Sequence, residues 1–227
     1  MTTNAEEHAV QPIRIDIVSD VVCPWCIIGY KQLERAQAET GRPAVVYWHP
    51  FELNPDMPAQ GENLIEHVAA KYGMTTEASR KARARLKALG DDLGFSFDYA
   101  DDMRMVNSFR AHQLLHWAAT KGLQHQLKMA LFGAFFTDRR NIDNPTTLIE
   151  VAGEVGLPAD EAKAVLDDAR FAEKVRQHEL FWTSHGVQGV PAMLFSGQHV
   201  LLGAQGVDGY RAMLERVAEE SVAPPAG

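Results

Sequence analysis

The stretch SDVVCPWCIIGY, from Ser19 to Tyr30, holds both cysteines of the chain, Cys23 and Cys26, with two residues between them. Pro24 suits the first turn of an α-helix, where the backbone N–H that proline lacks is not needed. A metal site, a structural disulfide and redox chemistry are the explanations to weigh for such a pair. The sequence around the pair decides between them.

A strand, a helix and a second strand are predicted around the two cysteines. Isoleucines alternate with other residues from 13 to 18, which indicates a β-strand. Apolar residues then recur at every third position from 27 to 36, giving a helix one inner face, and Gly41 ends that helix. A second strand is predicted at 44–48. The chain therefore begins as a β-α-β unit.

The pattern changes after this unit. Between residues 63 and 186 the apolar spacing is helical almost throughout. Strands return around a Ser196-Gly197 turn, and a last helix precedes the tail. The predicted later elements are helices at 108–121, 124–137, 160–169 and 171–185, one between Asn144 and Gly156, strands at 192–195 and 199–202, and a helix at 208–220.

This order predicts an α/β protein in which a helical insertion interrupts a β-α-β and β-β-α fold. The expected segments are a first half at 12–62, the insertion at 63–186 and a second half at 187–220. Residues 1–11 and 221–227 are expected to be flexible termini. With 227 residues, 46% of them hydrophobic, the chain can bury a sizeable core.

The charge balance argues against nucleic acid and anionic membranes as partners. The formal net charge is −8, whereas both partners attract clustered Lys and Arg. The one basic run, at 80–87, lies in an alanine-rich helical stretch. We predict a solvated helix face there rather than a phosphate-binding patch.

The N-terminal residues and the cysteine content predict a cytoplasmic protein. Acidic residues stand where a signal peptide needs basic ones, no apolar core follows them, and no run of 18 apolar residues occurs. The cytoplasm keeps thiols reduced, which weakens the structural-disulfide explanation.

A zinc site is disfavoured by the number of ligands. Structural zinc takes four, and the chain has no second cysteine pair. His112 and His116 share one helix face, but two histidines in an amphipathic helix are more often packing residues than ligands. We expect no metal.

Redox chemistry fits the pair best. A cysteine at a helix N-terminus lies in the positive end of the helix dipole, so the pKa of Cys23 is expected to fall into the range of about 3.5 to 7.5. Cys26, one turn along, could close a disulfide with it. A Cys-x-x-Cys pair within a βαβ pattern is the signature of a thioredoxin-like redox motif. Pro191, at the start of the third strand, is by general frequency a trans proline.

Several motifs together resemble one known family. They are SDVVCPWCIIG, PFELNPDMP, NSFRAHQLLHWA, LFGAFFTDRRNI, GVQGVPAMLF and LLGAQG, in this order. Over about residues 12 to 220 the chain resembles the thioredoxin-like disulfide oxidoreductases of the DsbA type. It is more closely similar to the cytosolic FrnE-like branch that is grouped with 2-hydroxychromene-2-carboxylate isomerases.

The resemblance implies roles for particular residues. Cys23 corresponds to the exposed nucleophilic cysteine and Cys26 to the buried resolving one. Pro191 corresponds to a cis-proline beside the cysteines, and the backbone of Val190 would pair with an extended substrate strand. The fold implied is a thioredoxin domain split by a helical insert.

Further roles concern redox tuning and accessory groups. Pro24 and Trp25 correspond to the dipeptide that tunes the potential. They lack the histidine of strongly oxidising relatives, so we expect a more reducing poise within the range of about −270 to −120 mV. A buried carboxylate often helps to deprotonate the resolving cysteine. Asp16 is the candidate, and Asp20 is nearer in sequence.

The leading function is a dithiol–disulfide oxidoreductase acting on protein or small-molecule disulfides. One alternative is a glutathione-dependent isomerase or kappa-class-like transferase, with glutathione as co-substrate. Its relatives place serine where Cys23 stands, and His49, Phe51 and Asn54 would line its pocket mouth. A second alternative is a binding or chaperone-like module that uses the apolar surface around Trp25 and Val190.

Overall fold

The computed structural model describes residues 11–222, so most of both predicted flexible termini lies outside the described residues. Within that range, a four-stranded sheet and a two-stranded sheet are combined with α-helices. In chain order the elements are β1 (Ile13–Ser19), α1 (Pro24–Thr40), β2 (Ala44–Pro50), β3 (Glu62–Asn63), α2 (Leu64–Tyr72), α3 (Thr76–Asp92), β4 (Arg104–Met105), α4 (Phe109–Thr120), α5 (Gln124–Phe136), α6 (Pro145–Glu154), α7 (Ala159–Asp168), α8 (Ala172–Ser184), β5 (Ala192–Phe195), β6 (His199–Leu202) and α9 (Gly206–Val222).

The larger sheet has the strand order β2-β1-β5-β6. Strand β1 pairs in parallel with β2, which is possible because α1 makes the crossover between them. It pairs antiparallel with β5, and β5 forms an antiparallel hairpin with β6. The predicted β-α-β and β-β-α order is confirmed. The two halves join at β1 and β5, which are neighbours in space but distant in sequence.

Helix α1 lies close to the turn that precedes β5. A Cβ atom on Gly29 would lie 3.3 Å from Cγ of Pro191 and 3.1 Å from the Tyr210 hydroxyl of α9. Both distances are tighter than ordinary van der Waals contact, so glycine at this position lets the three elements approach. The cysteines of α1 are thereby held beside the start of β5.

A cluster of aromatic side chains packs part of the chain between β2 and β5 against the larger sheet. Phe132, Phe135 and Phe136 of α5 are almost completely buried, and Trp48 of β2 lies edge-on to Phe132 with ring centroids 6.4 Å apart. Replacing one such phenylalanine by alanine typically destabilises a protein by about 3–5 kcal/mol. This core fixes α5 against the edge strand of the larger sheet.

The predicted helical stretch is not entirely helical. Strands β3 and β4 pair antiparallel, with Glu62 opposite Met105. Gly61 has a positive φ, and a Cβ atom there would collide with the Met105 carbonyl, so this close pairing depends on glycine. A two-residue strand is too short to show a period of two in the sequence. The last helix also differs, since α9 continues to Val222 rather than ending at 220.

Candidate active site

Cys23 is the N-cap residue of α1 and Pro24 is the first helical residue. A turn joins β1 to the helix, with the Cys23 N–H donating to the Asp20 carbonyl at 3.2 Å. Both cysteines are free thiols. Cys26 lies one turn along the helix and is fully buried. The strand and helix predicted on either side of the pair are present.

Cys23 is less accessible than the resemblance implies. Only 3% of the residue is exposed, where an exposed nucleophile was expected. The reason is that a pocket wall and the Val190 carbonyl cover the sulfur atom. Cys23 is nevertheless one of the residues that line a pocket of about 350 Å³.

The direction of the pKa shift at Cys23 also differs from the expectation. Its thiol is hydrogen-bonded with Cys26 and buried, and both effects raise the pKa of Cys23. The backbone N–H of Cys26 acts in the opposite direction, as the helix N-terminus predicts, but is outweighed. The lowered pKa expected for Cys23 is therefore wrong for this closed dithiol geometry. Two adjacent buried sulfurs cannot both ionise easily.

The segment before β5 reaches the same point. The Cys23 thiol donates to the Val190 carbonyl with a sulfur-to-oxygen distance of 3.7 Å, across 167 positions of sequence. The peptide bond between Val190 and Pro191 is cis. Pro191 is buried and its carbonyl accepts from the Gly203 N–H at 2.7 Å. The structure thus brings together the two segments that the sequence singled out.

Trp25 forms the exposed edge of the site. It is 40% exposed, whereas Pro24 before it is partly buried. Both residues line the same pocket as Cys23. A large indole left partly exposed beside a reactive sulfur gives that edge an apolar contact surface.

Asp16 and Asp20 have different surroundings. Asp16 accepts two hydrogen bonds from Arg14 and lies 2.8 Å from the His49 ring, and within residues 11–222 no hydrogen bond joins it to a cysteine. Burial tends to raise the pKa of Asp16, but Arg14 and His49 lower it overall. The prediction that Asp16 assists the resolving cysteine has no contact that supports it.

Asp20 is completely buried and organises the site instead. Its carboxylate accepts from the Leu53 N–H at 2.7 Å and lies 3.4 Å from Nε2 of His112. Burial tends to raise the pKa of Asp20, but His112 and the Leu53 N–H lower it overall. Asp20 therefore carries a charge where α4 and the PFELNP loop meet the cysteine turn, and that charge contributes to the raised pKa of Cys23.

Lys128 of α5 was missed by the sequence analysis. Only 1% of the residue is exposed, and Nζ donates to the Ser19 carbonyl at 3.4 Å. The ammonium group also lies 5.3 Å from the Trp48 ring centroid and 5.0 Å from that of Phe132. Burial lowers the pKa of Lys128 to about 8, against the opposing effect of Cys26 and Asp20.

A signal for Lys128 was present in the sequence. The apolar face predicted for its helix passes through Leu127 and Leu131, and Lys128 occupies a position on that face. A lysine there is either at the edge of the face or buried with a partner. The sequence alone does not show which of these two positions Lys128 takes.

The PFELNP loop is divided between two places. Asn54 lines the pocket, where its side-chain oxygen accepts from Lys71 at 2.7 Å and lies 2.9 Å from the His67 ring. His49 does not line this pocket; it pairs with Asp16. The Phe51 carbonyl faces the His112 ring at 3.1 Å. The expectation that all three loop residues line one pocket mouth holds for Asn54 alone.

The helical histidines are engaged in packing contacts. His112 contacts Asp20 and the loop, while His116 packs against the rings of Phe171 and His178, with centroids 5.1 and 5.2 Å away. Among residues 11–222 no group of three or more His, Cys, Asp or Glu side chains is placed to hold a metal ion. In the same part of the chain, no helix combines the length and apolarity needed to cross a membrane.

A dithiol at the N-terminus of the first helix, facing the segment before β5 across a thioredoxin-type sheet, defines the class of thioredoxin-fold redox proteins. The chain belongs to the DsbA-like thioredoxin domain family, whose sequence model matches residues 14–215. That family includes disulfide oxidoreductases and isomerases.

Relatives and solved structures agree with this family. The protein YwbO of Bacillus subtilis is 26% identical over 197 residues, which are 86% of this chain and 92% of that protein. A probable DsbA oxidoreductase of Streptomyces coelicolor is 30% identical with a TM-score of 0.87, over 95% of this chain and 93% of that one. The cytosolic disulfide reductase DsbM of Pseudomonas aeruginosa shares the fold, with 21% identity, a TM-score of 0.61, and coverage of 92% and 100%.

A 2-hydroxychromene-2-carboxylate isomerase also shares the fold. It is 12% identical with a TM-score of 0.67, over 92% of this chain and 97% of that one. The branch suspected from the motifs is thus represented among the structural neighbours. Placement within the FrnE-like branch stays a prediction.

Proposed function

We propose that the protein is a dithiol–disulfide oxidoreductase in which Cys23 forms the mixed disulfide with the substrate and Cys26 resolves it. One observation carries this proposal. The Cys23 sulfur lies at a helix N-terminus, beside the Val190 carbonyl and within hydrogen-bonding reach of Cys26, in a pocket wall. The two sulfurs that take part in the exchange are therefore adjacent at one end of the helix.

The reductive reaction has two exchange steps. Cys23 loses its proton and attacks one sulfur of the substrate disulfide, whose S–S bond breaks as the first substrate thiolate leaves. Cys26 then loses its proton and attacks the Cys23 sulfur, releasing the second thiolate and forming the protein disulfide. The substrate gains two electrons and the dithiol loses two. Run backwards, the same steps oxidise a substrate dithiol.

Lys128 and Asp20 support the second step. Cys26 is fully buried, so its proton needs an acceptor inside the protein. Lys128 interacts electrostatically with Cys26 and has a pKa of about 8, which leaves a neutral amine available to take that proton. Asp20 holds the opposite charge that favours the lysine's protonated form afterwards.

The surface near Cys23 suits an extended or apolar substrate. Trp25 supplies exposed apolar area, and the segment at Val190 presents its backbone at the edge of the pocket. We assign redox tuning to Pro24 and Trp25 and substrate contact to Val190 and Pro191. In this proposal residues 63–186 are the insertion that covers the thioredoxin halves 12–62 and 187–220.

Glutathione is the co-substrate we propose for a cytoplasmic protein of this kind. The Pseudomonas aeruginosa neighbour DsbM is a cytosolic disulfide reductase and has also been solved with GSH. Glutathione would return the protein disulfide to the dithiol by the same exchange chemistry.

The decisive test compares two cysteine variants. We expect Cys23→Ser to abolish turnover of a disulfide substrate, and Cys26→Ala to stop at a mixed disulfide that mass spectrometry detects. Turnover unchanged in Cys23→Ser would overturn the proposal. Activity spared in Cys26→Ala would instead favour a glutathione-dependent isomerase, whose chemistry needs no resolving thiol. An activity that persists when both Cys23 and Cys26 are replaced would depend on neither sulfur and would indicate a binding module.

A further inference from the structure

Arg83 of α3 contradicts the solvated face predicted for the basic run. Its neighbours Arg80 and Lys81 have side chains that are 54% and 76% exposed, but the Arg83 side chain is only 12% exposed. Arg83 lines the pocket that also contains Cys23. The Arg83 side chain therefore lies in the wall of the candidate substrate pocket and not on a solvated helix face.

The hydrogen-bonding capacity of Arg83 is only partly used. One terminal nitrogen lies 3.3 Å from Asp101, a residue whose carboxylate is 65% exposed and is also bound by Arg80 at 2.9 Å. The Nε atom of Arg83 is buried and has no hydrogen-bond partner among residues 11–222. An unpaired buried donor on a charged group is unfavourable, so an acceptor supplied by a ligand would be favoured.

The rest of the pocket offers no competing charge. Its wall is mostly apolar, and among the described residues that line it none is Asp or Glu. His67, the other lining residue that can carry a positive charge, already contacts Glu62 and Asn54. The apolar lining residues include Leu64, Val68, Leu86, Met105, Phe135 and Phe136. A ligand that matches this wall is apolar over most of its surface and anionic at one end.

We propose that the pocket binds small organic disulfides that are largely apolar and carry a carboxylate. Arg83 holds the carboxylate while the disulfide meets Cys23. This inference rests on the proposed oxidoreductase function and names a substrate class for it. A pocket of about 350 Å³ can hold one aromatic ring of such a disulfide. The second ring, on the other side of the S–S bond that Cys23 attacks, then lies toward solvent.

The reaction follows the two exchange steps and needs no further reagent in a single turnover. Starting from the dithiol, Cys23 breaks the ligand S–S bond and one aryl thiolate leaves. Cys26 then releases the second aryl thiolate, and the protein disulfide forms. The ligand accepts the two electrons that the dithiol gives up.

A matched pair of disulfides isolates the charge. The probes are the disulfide of para-mercaptobenzoate and the disulfide of para-mercaptobenzamide, which share their aryl sulfide skeleton but differ in charge. We expect the reduced wild-type protein to prefer the carboxylate about tenfold at subsaturating concentration, after each rate is divided by that of the same probe with dithiothreitol to correct for leaving-group reactivity, the effect of about one charge-assisted hydrogen bond. Rates are followed by stopped-flow absorbance of the released aryl thiolate.

Arg83→Met should slow the reaction of the carboxylate disulfide but not that of the amide disulfide, so the preference should disappear. Arg83→Lys should keep part of the preference. Arg80→Met is the matched control, because Arg80 contacts the same Asp101 but does not line the pocket. Its preference should equal that of the wild type. Circular dichroism of each variant shows that it is folded.

The possible results separate this inference from the function on which it rests. No preference in the wild type, or equal slowing of both probes in Arg83→Met, overturns the carboxylate site. Calorimetry of para-(methylthio)benzoate and its amide with Cys23→Ser protein tests the pocket without any redox step. Binding of the carboxylate there, with no reaction of either disulfide in the wild type, supports the pocket and contradicts the oxidoreductase function.

Discussion

The site has a sheet half and a helical half, and the two hold their functional groups in different ways. The sheet half consists of Cys23, Cys26, Val190 and Pro191. Its geometry is set by backbone: a helix N-cap, one turn of helix and a carbonyl 3.7 Å from the Cys23 sulfur. Side-chain identity matters mainly at the two sulfurs.

The helical half consists of His112, Lys128 and Arg83, from three different helices. Each is a polar or charged side chain buried among apolar neighbours, with few partners. Asp20 connects the halves, because it follows β1 and contacts His112 of α4. The sulfur atoms therefore come from a local motif, whereas the charged groups around them come from elements that are distant in sequence.

Removing the connection between the halves should have the largest effect. Asp20→Ala leaves the Leu53 N–H without its acceptor and removes the carboxylate that faces the buried His112 ring. We expect a loss of about 3–5 kcal/mol in the free energy of unfolding, measured by urea denaturation. Asp92→Ala is the control, since Asp92 is exposed and pairs with Arg35 at the surface, an interaction of about 0–1 kcal/mol. Equal losses in the two variants would show that Asp20 does not connect the halves.

Replacing the buried amine tests the helical half alone. Lys128→Met keeps the length of the side chain and removes the group that accepts the Cys26 proton. We expect the mixed disulfide to be resolved about 100-fold more slowly, the lower range for a lost general base. In the wild type this rate should rise as the pH passes about 8, because Lys128 then loses its proton. The variant should lack that rise.

Lys121→Met is the matched lysine control for this experiment. Lys121 follows α4 and forms a surface salt bridge with Glu161 in which both side chains are exposed. Its replacement should leave the rate and its pH profile unchanged. A Lys128→Met protein that resolves the mixed disulfide at the wild-type rate would contradict the role given to Lys128.

The smallest expected effect concerns the sheet half alone. Cys26→Ala removes the hydrogen bond that is the largest cause of the raised pKa of Cys23. The pKa of Cys23 should therefore fall, and at any pH below its raised value a larger fraction of Cys23 should be thiolate. The pH dependence of iodoacetamide alkylation measures this, and the midpoint should move to lower pH. A midpoint that rises would show that Cys26 stabilises the Cys23 thiolate.

Much of the fold could be predicted because its signals are short in range. The strand before Cys23, the helix from Pro24 and the hairpin at 192–202 all follow from periodicity, proline and turn residues. Strands β3 and β4 were missed because two residues cannot show a period. Their pairing depends on Gly61 meeting the Met105 carbonyl, a contact between distant segments.

The site was predictable only in part for the same reason. Cys23 and Cys26 stand out by their spacing, and Pro191 by the family resemblance. The inward turn of Arg83 and the burial of Lys128 depend on which helices pack over them, so neither shows in a single sequence. The expected low pKa of Cys23 considered only the helix end and not the second sulfur and the burial.

By itself, the sequence determined a pair of cysteines at a βα junction, a sheet in two halves and a long helical stretch between them. Only the tertiary structure decided that Cys23 is covered, that Asp20 rather than Asp16 adjoins it, and that Lys128 and Arg83 face the site. The physical reason is the distance along the chain over which each effect acts. Periodicity and capping act within a few residues, whereas burial and electrostatic interaction depend on every element that folds around a charge.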